Sequence, residues 1–246
     1  LTEVNGFNRI EITGQDVHSW LNHLICGPVS RKTGRVGLGY LLNEQGNVKC
    51  EATIANLDDG RVWYGSAAAS EIHDFEWLQR HLPEDGSVQL NSLTNDYTIL
   101  LLAGPQARQV LQASTRLDCS PQSFKWLDVK TGFVGIAPAT IMAVSYSGEE
   151  AFEIHVPNNQ LYAAYLCLRK AGEAFDLKLF GSMAVESMRL EKGYLHWKAD
   201  LITEFNPFET GLSRFVNLDK EFIGKDALQL MMKKGLRKQL VSLVID

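Results

Sequence analysis

Three glutamates stand in sequence surroundings that could give them chemistry. Glu51 lies within an apolar, strand-like run, Glu153 lies between two apolar residues of another such run, and Glu191 ends a helical run just before an aromatic residue. Burying a carboxylate without a partner is costly, so each glutamate either faces solvent or meets a partner or a ligand. A partly buried carboxylate can move a proton or stabilise a cation. The two interpretations, surface residue and site residue, stay about equally supported.

The motifs of several common enzyme classes are absent from the sequence. It contains no GxxxxGK[ST] phosphate loop, no HExxH zinc motif and no GxSxG elbow. The glycines Gly34, Gly37 and Gly39 do not form a GxGxxG turn after a strand, so the chain has no dinucleotide-binding domain of its own. The four widely spaced cysteines form no CxxC pair, which argues against a zinc site or a disulfide framework and favours a reducing compartment.

Composition and charge are typical of a globular protein. The chain has 246 residues, 45% of them hydrophobic and 22% charged, enough for one large domain or two smaller ones. The formal net charge of −5 gives no reason to expect a nucleic acid or an anionic membrane as a partner. No apolar run approaches the roughly 20 residues that span a bilayer, and no signal or transit peptide is visible.

Alternating strands and helices must position the candidate residues. In the first part, strands are predicted at 9–13, 36–42, 48–57 and 61–65, the second and third joined by a hairpin turn. A helix is predicted over 15–25 from the spacing of its apolar residues. A second helix, over 69–82, is predicted to bury Ile72, Phe75, Leu78 and Leu82.

The second part reads as a diverged repeat of the first. Strands at 99–103, 139–146 and 151–156 and helices ending near Ala113 and Ala171 follow the same order. Gly14 and Gly104, which each end a strand, are 90 residues apart, and the turn glycines Gly46 and Gly148 are 102 apart. Each turn glycine is followed five residues later by a glutamate, Glu51 or Glu153. This pattern predicts paired units with matching carboxylates around a shared pocket. The alternative is that any two α+β hairpin units look this similar without being related.

The remaining segments complete the predicted organisation. A helix is expected between Gly181 and Gly193, which puts Glu191 in its last turn, where an anion is disfavoured. The basic cluster 233–238 reads as a solvated connector to a strand-like run at 239–245. We expect the natural chain to continue beyond it into a β-rich domain. The predicted division is 1–95, 96–232 and 233–246, the last being the start of a truncated C-terminal β-barrel.

Several short motifs follow one another along the chain: 102–107 (LAGPQA), 145–149 (SYSGE), 189–194 (RLEKGY) with Trp197, 199–201 (ADL), 206–212 (NPFETGL), 215–218 (FVNL) and 222–228 (FIGKDAL). Together they resemble the glycine-cleavage T-protein (aminomethyltransferase) family. The resemblance spans nearly the whole chain, so we regard it as specific. Within the family, the chain most resembles the folate domains fused to flavin-dependent dimethylglycine and sarcosine dehydrogenases, because Glu51 stands where glycine-cleavage proteins usually carry an aspartate.

The resemblance implies a fold and a set of site residues. The fold is α+β: two related βαβ-type units around a central folate channel, followed by the start of a β-barrel. Glu51 would be the catalytic acidic residue beside the reactive nitrogens, with Thr53 on the same strand. Glu153 would accept the paired N–H donors of the pterin, with Glu191 as the alternative. The other residues placed along the folate are Tyr146, Ile154, His155 and Arg214, the last standing where relatives carry an aromatic residue.

The resemblance also implies an activity. The chain would bind tetrahydrofolate and capture the methylene or formaldehyde equivalent released by oxidative N-demethylation of a small amine, of the dimethylglycine or sarcosine type, forming 5,10-methylenetetrahydrofolate. FAD would be held only by a separate upstream flavin domain, which would be either covalently linked to this chain or a separate protein. The compartment would be the bacterial cytoplasm or the mitochondrial matrix. Two alternatives stay open: a flavin-independent, tetrahydrofolate-dependent S- or O-demethylase, and a non-catalytic folate-binding regulatory relative.

Overall fold

Two five-stranded antiparallel sheets form the centre of the computed structural model, which describes residues 1–4 and 6–243. The first sheet contains β2 (Ile10–Thr13), β3 (Arg35–Leu42), β4 (Val48–Asp58), β5 (Arg61–Gly65) and β6 (Gln89–Ser92). The second sheet contains β1 (Thr2–Val4), β7 (Tyr97–Ala103), β8 (Val129–Val134), β9 (Ala137–Met142) and β10 (Ala151–Pro157). This architecture confirms the predicted α+β class.

Helices cover the outer face of each sheet. Val17, Trp20, Leu21 and Leu24 lie one helical turn apart and pack on the first sheet. The second sheet is covered in the same way by two helices whose buried residues include Val110 and Leu168. The six α-helices of the described residues are α1 (Val17–Leu24), α2 (Glu71–Arg80), α3 (Ala107–Ser114), α4 (Leu161–Gly172), α5 (Ser182–Glu191) and α6 (Lys225–Lys234).

The two sheets share one topology, which supports an internal duplication. Their strand orders are β3-β4-β5-β2-β6 and β8-β9-β10-β7-β1. The strand-ending glycines correspond as predicted: Gly14 and Gly104 have φ of 130° and 124°. Gly14 N donates to Gly60 O, and Gly104 N donates to Glu150 O, both at 2.9 Å. The accepting residues are also 90 apart, so one offset relates both hydrogen bonds.

The predicted match between Glu51 and Glu153 is wrong. Gly46 lies in the turn between β3 and β4, whereas Gly148 lies in the connection between β9 and β10. Under the shared strand order, β4 corresponds to β9 and β10 corresponds to β5. The two glutamates therefore occupy different places in the two units. A turn glycine marks a tight turn but does not identify which hairpin it belongs to.

Neither end of the chain stays within the unit to which a division near residue 95 assigns it. β1 pairs antiparallel with β7, with Thr2 opposite Leu101, so the N-terminal strand completes the second sheet at the edge that β6 occupies in the first. The segment after α5 packs onto the first unit, where Trp197 and Leu201 share a core with Tyr40. Residues that are close in space here are far apart in the sequence, because edge strands and covering segments pair with distant parts of the chain.

The inner faces of the two sheets pack against each other. Ala55 and Trp63 of the first sheet share an apolar cluster with Met142 of the second. The ion pair between Arg35 Nη1 and Asp128 Oδ1, at 2.5 Å, joins the sheets at one side. Since side chains alternate between the faces of a strand, every second residue of β4 and β10 points toward the opposite sheet.

The face that α2 buries differs from the prediction. Ile72 is 75% exposed, whereas Asp74, Trp77 and Leu78 are buried. The helix begins two residues later than predicted and is rotated so that Trp77, the largest side chain available, enters the core. The predicted contact of Ile72 with the core is therefore wrong.

The predicted strand at 239–245 does not form where the structure describes it. Residues 239–243 have no strand partner, and Val241 and Leu243 are 65% and 83% exposed; residues 244–246 lie outside the described part. Leu240 N donates to Glu209 O at 2.8 Å, but a strand requires a neighbouring strand to satisfy its backbone groups. The described residues show no closed barrel and no helix of the length and apolarity that crossing a membrane requires.

Candidate functional site

Glu51 lies on the inner face of β4, opposite the face that packs on the helices. Its neighbours Cys50 and Ala52 belong to the core beneath α1 and α2, so Glu51 and Thr53 point the other way. Across the β3–β4 ladder, Glu51 pairs with Tyr40, whose hydroxyl donates to Glu51 Oε2 at 2.7 Å. The carboxylate is thus positioned on a rigid strand and held by one buried phenol.

The environment of Glu51 favours its neutral form. Burial raises the pKa of Glu51, while the Tyr40 hydrogen bond and the charge of His196 oppose the rise. A carboxyl group with a raised pKa is a better proton acceptor than an ordinary glutamate once ionised, and it retains its proton to higher pH. These are properties that a general base or acid requires.

The loop after β9 places Tyr146 near Glu51. The Tyr146 hydroxyl donates to Leu195 O at 3.1 Å, and its ring stacks on Tyr194 with centroids 6.4 Å apart and an interplanar angle of 16°. Burial raises the pKa of Tyr146 to about 12, with Arg189 opposing and the charge of Glu51 adding to the rise. Because the charge of Glu51 affects the pKa of Tyr146, these two predicted site residues, which come from different units, lie in one neighbourhood.

Glu153 lies on the inner face of β10, with its side chain partly exposed. It pairs across the sheet with Met142, a member of the cluster that joins the two sheets. Its side chain is 21% exposed, and Oε2 lies 3.3 Å from His155 Nε2. Glu51 and Glu153 therefore lie on the facing surfaces of the two sheets, as a pocket shared by the two units would require.

Arg9, to which no sequence pattern points, approaches Glu153 through His155. Arg9 is only 3% exposed, and its Nη2 contacts His155 Nδ1. Its guanidinium lies 5.1 Å from the Trp63 ring centroid and 5.3 Å from that of Tyr97. An arginine before a short strand carries no signal of burial in the sequence, because arginines are mostly exposed.

The remaining predicted site residues lie farther from Glu51, Tyr146 and Glu153. Ile154 is fully buried in the core under α3 and α4, on the face of β10 opposite Glu153. Glu191 is the exposed last residue of α5. Arg214 is exposed and lies over the Phe215 ring at 4.8 Å, and its charge reaches Tyr40. The side chain of Ile154 is thus separated by the sheet from any ligand between the two carboxylates.

Two cavities border the fold away from the carboxylates. One, of about 360 Å³, lies between β1 and α4 and is lined by residues including Leu1, Leu161 and Phe180. The other, of about 280 Å³, is lined by residues including Ser145 and Tyr194, beside the loop that holds Tyr146. Neither is lined by Glu51 or Glu153. The hollow expected between them stays a prediction.

A buried polar cluster supports β4 behind Glu51. Asp74, 1% exposed, accepts hydrogen bonds from Cys50 Sγ at 3.1 Å and Ser66 Oγ at 2.5 Å. His73 Nδ1 lies 2.8 Å from the same carboxylate. Cys50, His73 and Asp74 are close enough together to suggest a metal site. However, the thiol and the imidazole both contact Asp74 at hydrogen-bond distances, and burial raises the pKa of Cys50 well above its usual value. We interpret the cluster as a structural hydrogen-bond network.

Comparisons with known proteins agree with this architecture. Residues 1–220 match the family model described as the GCVT N-terminal domain. Glycine cleavage system aminomethyltransferase T from Bartonella henselae superimposes with a TM-score of 0.81 over 95% of this chain and 63% of that one, at 22% sequence identity. At that identity the likeness concerns the fold.

Curated relatives include enzymes and a regulatory protein. Human mitochondrial dimethylglycine dehydrogenase is 34% identical over 100% of this chain, which spans only 28% of that protein. The mouse mitochondrial pyruvate dehydrogenase phosphatase regulatory subunit is 30% identical over 99% of this chain, again 28% of its length. An aminomethyltransferase of Thermoanaerobacter pseudethanolicus is 28% identical over 98% of this chain and 66% of its own. The chain belongs to the GCVT N-terminal domain family, as the kind of domain that aminomethyltransferases and dimethylglycine dehydrogenases share.

Proposed function

We propose that the chain binds tetrahydrofolate between its two sheets and transfers a one-carbon unit released from an N-methyl amine. The observation that carries the proposal is the placement of two unlike carboxylates, Glu51 and Glu153, on the facing surfaces of the sheets. Family membership and the resemblance to dimethylglycine dehydrogenase support the same activity.

The residues present fit a folate. Glu153 retains partial exposure, and a carboxylate with free lone pairs can accept two neighbouring N–H donors of a flat ring. The stacked pair Tyr146 and Tyr194 offers aromatic surface near Glu51. Glu153 would hold the ring edge, and Tyr146 would pack against the ligand.

Glu51 is the residue we assign to proton transfer. Bound tetrahydrofolate would supply the nitrogen nucleophiles that capture the one-carbon unit. The carboxylate of Glu51 would accept a proton at the oxygen that Tyr40 does not hold, or stabilise positive charge beside it. Placing this group on a strand, with Tyr40 bonded to Oε2, fixes its orientation without a cost of reordering at each turnover.

The source of the one-carbon unit would be a flavin-dependent oxidation outside this domain. The similarity to dimethylglycine dehydrogenase supports this arrangement. Heterotetrameric sarcosine oxidase from Corynebacterium sp. U-96 matches with a TM-score of 0.57 at 18% identity, which is a likeness of fold alone. The flavin domain would be either fused to the chain or a separate subunit, and the chain's own residues would receive the product.

A second function, non-catalytic folate binding, is favoured by one observation. The regulatory subunit of pyruvate dehydrogenase phosphatase is nearly as similar as the dehydrogenases. A direct, flavin-independent demethylase has no comparable support among these relatives. Measured one-carbon transfer separates the first proposal from the regulatory alternative.

Calorimetric titration with tetrahydrofolate tests the proposal. We expect saturable binding by the chain, and Glu153→Ala should weaken it by about 2–3 kcal/mol, because a hydrogen-bonded ionic acceptor is lost. Glu84→Ala, which removes an exposed glutamate after α2, is the control and should bind as the natural sequence does.

Two outcomes would contradict the assignment. Absence of binding by the natural sequence would overturn the proposed function itself. Unchanged affinity in Glu153→Ala, together with weaker binding in Glu191→Ala, would move the ring-binding role from Glu153 to Glu191.

A further inference from the structure

A charged side chain of the first unit contacts His155, which lies beside Glu153 in the second unit. Arg9 directly precedes β2, and its backbone is tied to the segment before β7: Arg9 N bonds Thr94 Oγ1 at 3.0 Å, and Leu93 N bonds Arg9 O at 2.8 Å. From there the guanidinium extends between the sheets to His155 on β10. The contact therefore crosses from one unit of the duplication to the other.

The surroundings of Arg9 hold a buried cation in one orientation. Its guanidinium lies over the rings of Trp63 and Tyr97, an arrangement that stabilises a desolvated cation. The Trp63 indole is itself fixed by a hydrogen bond from Nε1 to Glu11 Oε1 at 3.1 Å. Burial lowers the pKa of Arg9 to about 10, and the charge of Glu153 opposes that change. Glu153 is thus the carboxylate whose charge most stabilises Arg9.

The contact with Arg9 determines the tautomer of His155. A guanidinium only donates hydrogen bonds, so Nδ1 of His155 must be the acceptor and carry no proton. The neutral ring then carries its proton on Nε2, the atom 3.3 Å from Glu153 Oε2. Burial lowers the pKa of His155, with the Arg9 charge adding to the effect and the Glu153 contact opposing it. Protonating His155 would place two cations in contact.

In this tautomer, Nε2 of His155 is a hydrogen-bond donor that needs a better-aligned acceptor. Although Glu153 Oε2 is within reach, Nε2 makes no aligned hydrogen bond among the described residues. A buried donor in this state costs free energy. A small reorientation of the Glu153 carboxylate would satisfy it, leaving the carboxylate's remaining lone pairs for a ligand.

We propose that Arg9 and His155 are positioning residues for Glu153: Arg9 fixes the Nε2–H tautomer of His155, which in turn orients the Glu153 carboxylate as an acceptor for the folate ring. The proposal rests on the proposed function for the identity of the ligand. The positioning requires no proton transfer, because the Nε2 proton stays on His155.

Nitrogen-15 NMR of the histidine side chains tests the first half without any ligand. In the 246-residue chain we expect a proton on Nε2 and none on Nδ1 of His155. This state should persist to a lower pH than in an ordinary histidine, whose pKa is about 6.5. In Arg9→Met the fixed tautomer should be lost, giving a mixture of the two neutral tautomers, and His155 should protonate at a higher pH than in the natural sequence. A proton on Nδ1 in the natural sequence would overturn the proposal.

Calorimetry with tetrahydrofolate tests the second half. His155→Leu should weaken binding roughly tenfold, the effect of losing one hydrogen bond to a charged group. His155→Gln, which keeps an N–H donor, should recover most of the affinity. Arg80→Met, at the exposed end of α2, is the control.

The glutamine variant separates positioning from simple packing. The charged groups that face this site are Arg9, which precedes β2, and Glu153 on the same strand as His155, while Tyr97 of β7 faces Arg9. A purely structural role would leave His155→Gln unable to recover the affinity, which would overturn the inference. If the natural sequence bound no tetrahydrofolate, the proposed function would fail while the NMR result still decided the role of Arg9.

Discussion

At the scale of single residues, the two carboxylates differ in surroundings despite similar sequence contexts. Glu51 faces a phenol donor and is pushed toward its neutral form by burial. The Glu153 side chain is 21% exposed and lies beside a histidine held by a buried arginine. The first environment suits proton transfer and the second suits binding of a donor edge. This difference is the reason that we propose a catalytic role for Glu51 and a binding role for Glu153.

Replacement of Glu51 by glutamine should separate binding from transfer. Glu51→Gln keeps the shape and a hydrogen-bonding group, so tetrahydrofolate should bind within about threefold of the natural affinity. Transfer of the one-carbon unit should slow by about 10²–10⁴-fold, the range typical of losing a general acid or base. Single-turnover transfer from formaldehyde measures it. Equal rates in the two proteins would remove Glu51 from the mechanism.

The same substitution predicts a pH-dependent gain in stability. The pKa of Glu51 is raised in the folded state, so ionising it costs folding free energy. The cost is absent below the unfolded pKa, near 4.3, and is complete above the folded pKa. Glu51→Gln should therefore raise the melting temperature at pH 8 relative to the natural sequence and not at pH 4. Thermal unfolding at the two pH values measures this. A gain of equal size at both would contradict the assigned ionisation.

At the scale of elements, α2 shows how a polar cluster can decide the orientation of a helix. Asp74→Ala removes the acceptor of Cys50 and Ser66, which leaves buried donors unsatisfied. It should destabilise the protein by roughly 1–3 kcal/mol. Ile72→Ala, on the same helix but 75% exposed, should change stability by less than about 0.5 kcal/mol. Urea unfolding measures both, and a larger loss of stability for Ile72→Ala than for Asp74→Ala would contradict the stabilising role of the Asp74 hydrogen bonds.

The repeated strand-ending glycines offer a matched pair of substitutions. Both adopt positive φ, so alanine at Gly104 should cost about 1–3 kcal/mol in backbone strain alone. A Cβ at Gly14 would also lie 2.0 Å from Ser87 O, whereas at Gly104 it would meet nothing within 4 Å. Gly14→Ala should therefore cost at least about 1 kcal/mol more than Gly104→Ala. Equal free energies of unfolding would show that Ser87 moves aside freely.

At the scale of the whole molecule, the joint between the two sheets depends on an ion pair. Burial would raise the pKa of Asp128, but the Lys125 backbone N–H and Arg35 outweigh it and hold the pKa below its usual value. Val36 N donates to Leu127 O at 2.8 Å and Val129 N donates to Gly34 O at 2.9 Å, beside this pair. The two facing surfaces that carry Glu51 and Glu153 are kept in register by this joint.

Replacement of Asp128 should weaken the joint in a pH-dependent way. A carboxyl group with a lowered folded pKa contributes stability above its unfolded pKa, near 3.9, and loses it as the pH falls through the folded value. Asp128→Asn should thus destabilise the protein by about 1–2 kcal/mol at pH 7 and by much less near pH 3. Denaturant unfolding at both pH values measures the difference. A penalty that did not change with pH would show a packing role in place of an ionic one.

The sequence by itself determined most of the local elements, the 90-residue offset between the two units and the family. Apolar spacing reflects which face of a helix or strand is buried, so α1, β3, β4, β5 and α4 were predictable, and alternation along β4 put Glu51 opposite Cys50. Only the tertiary structure decided that β4 corresponds to β9, that β1 joins the second sheet, and that Arg9 reaches His155. These are contacts between residues distant in the chain. Spacing along a chain records local geometry, whereas pairing across sheets depends on the free energy of the whole packed arrangement.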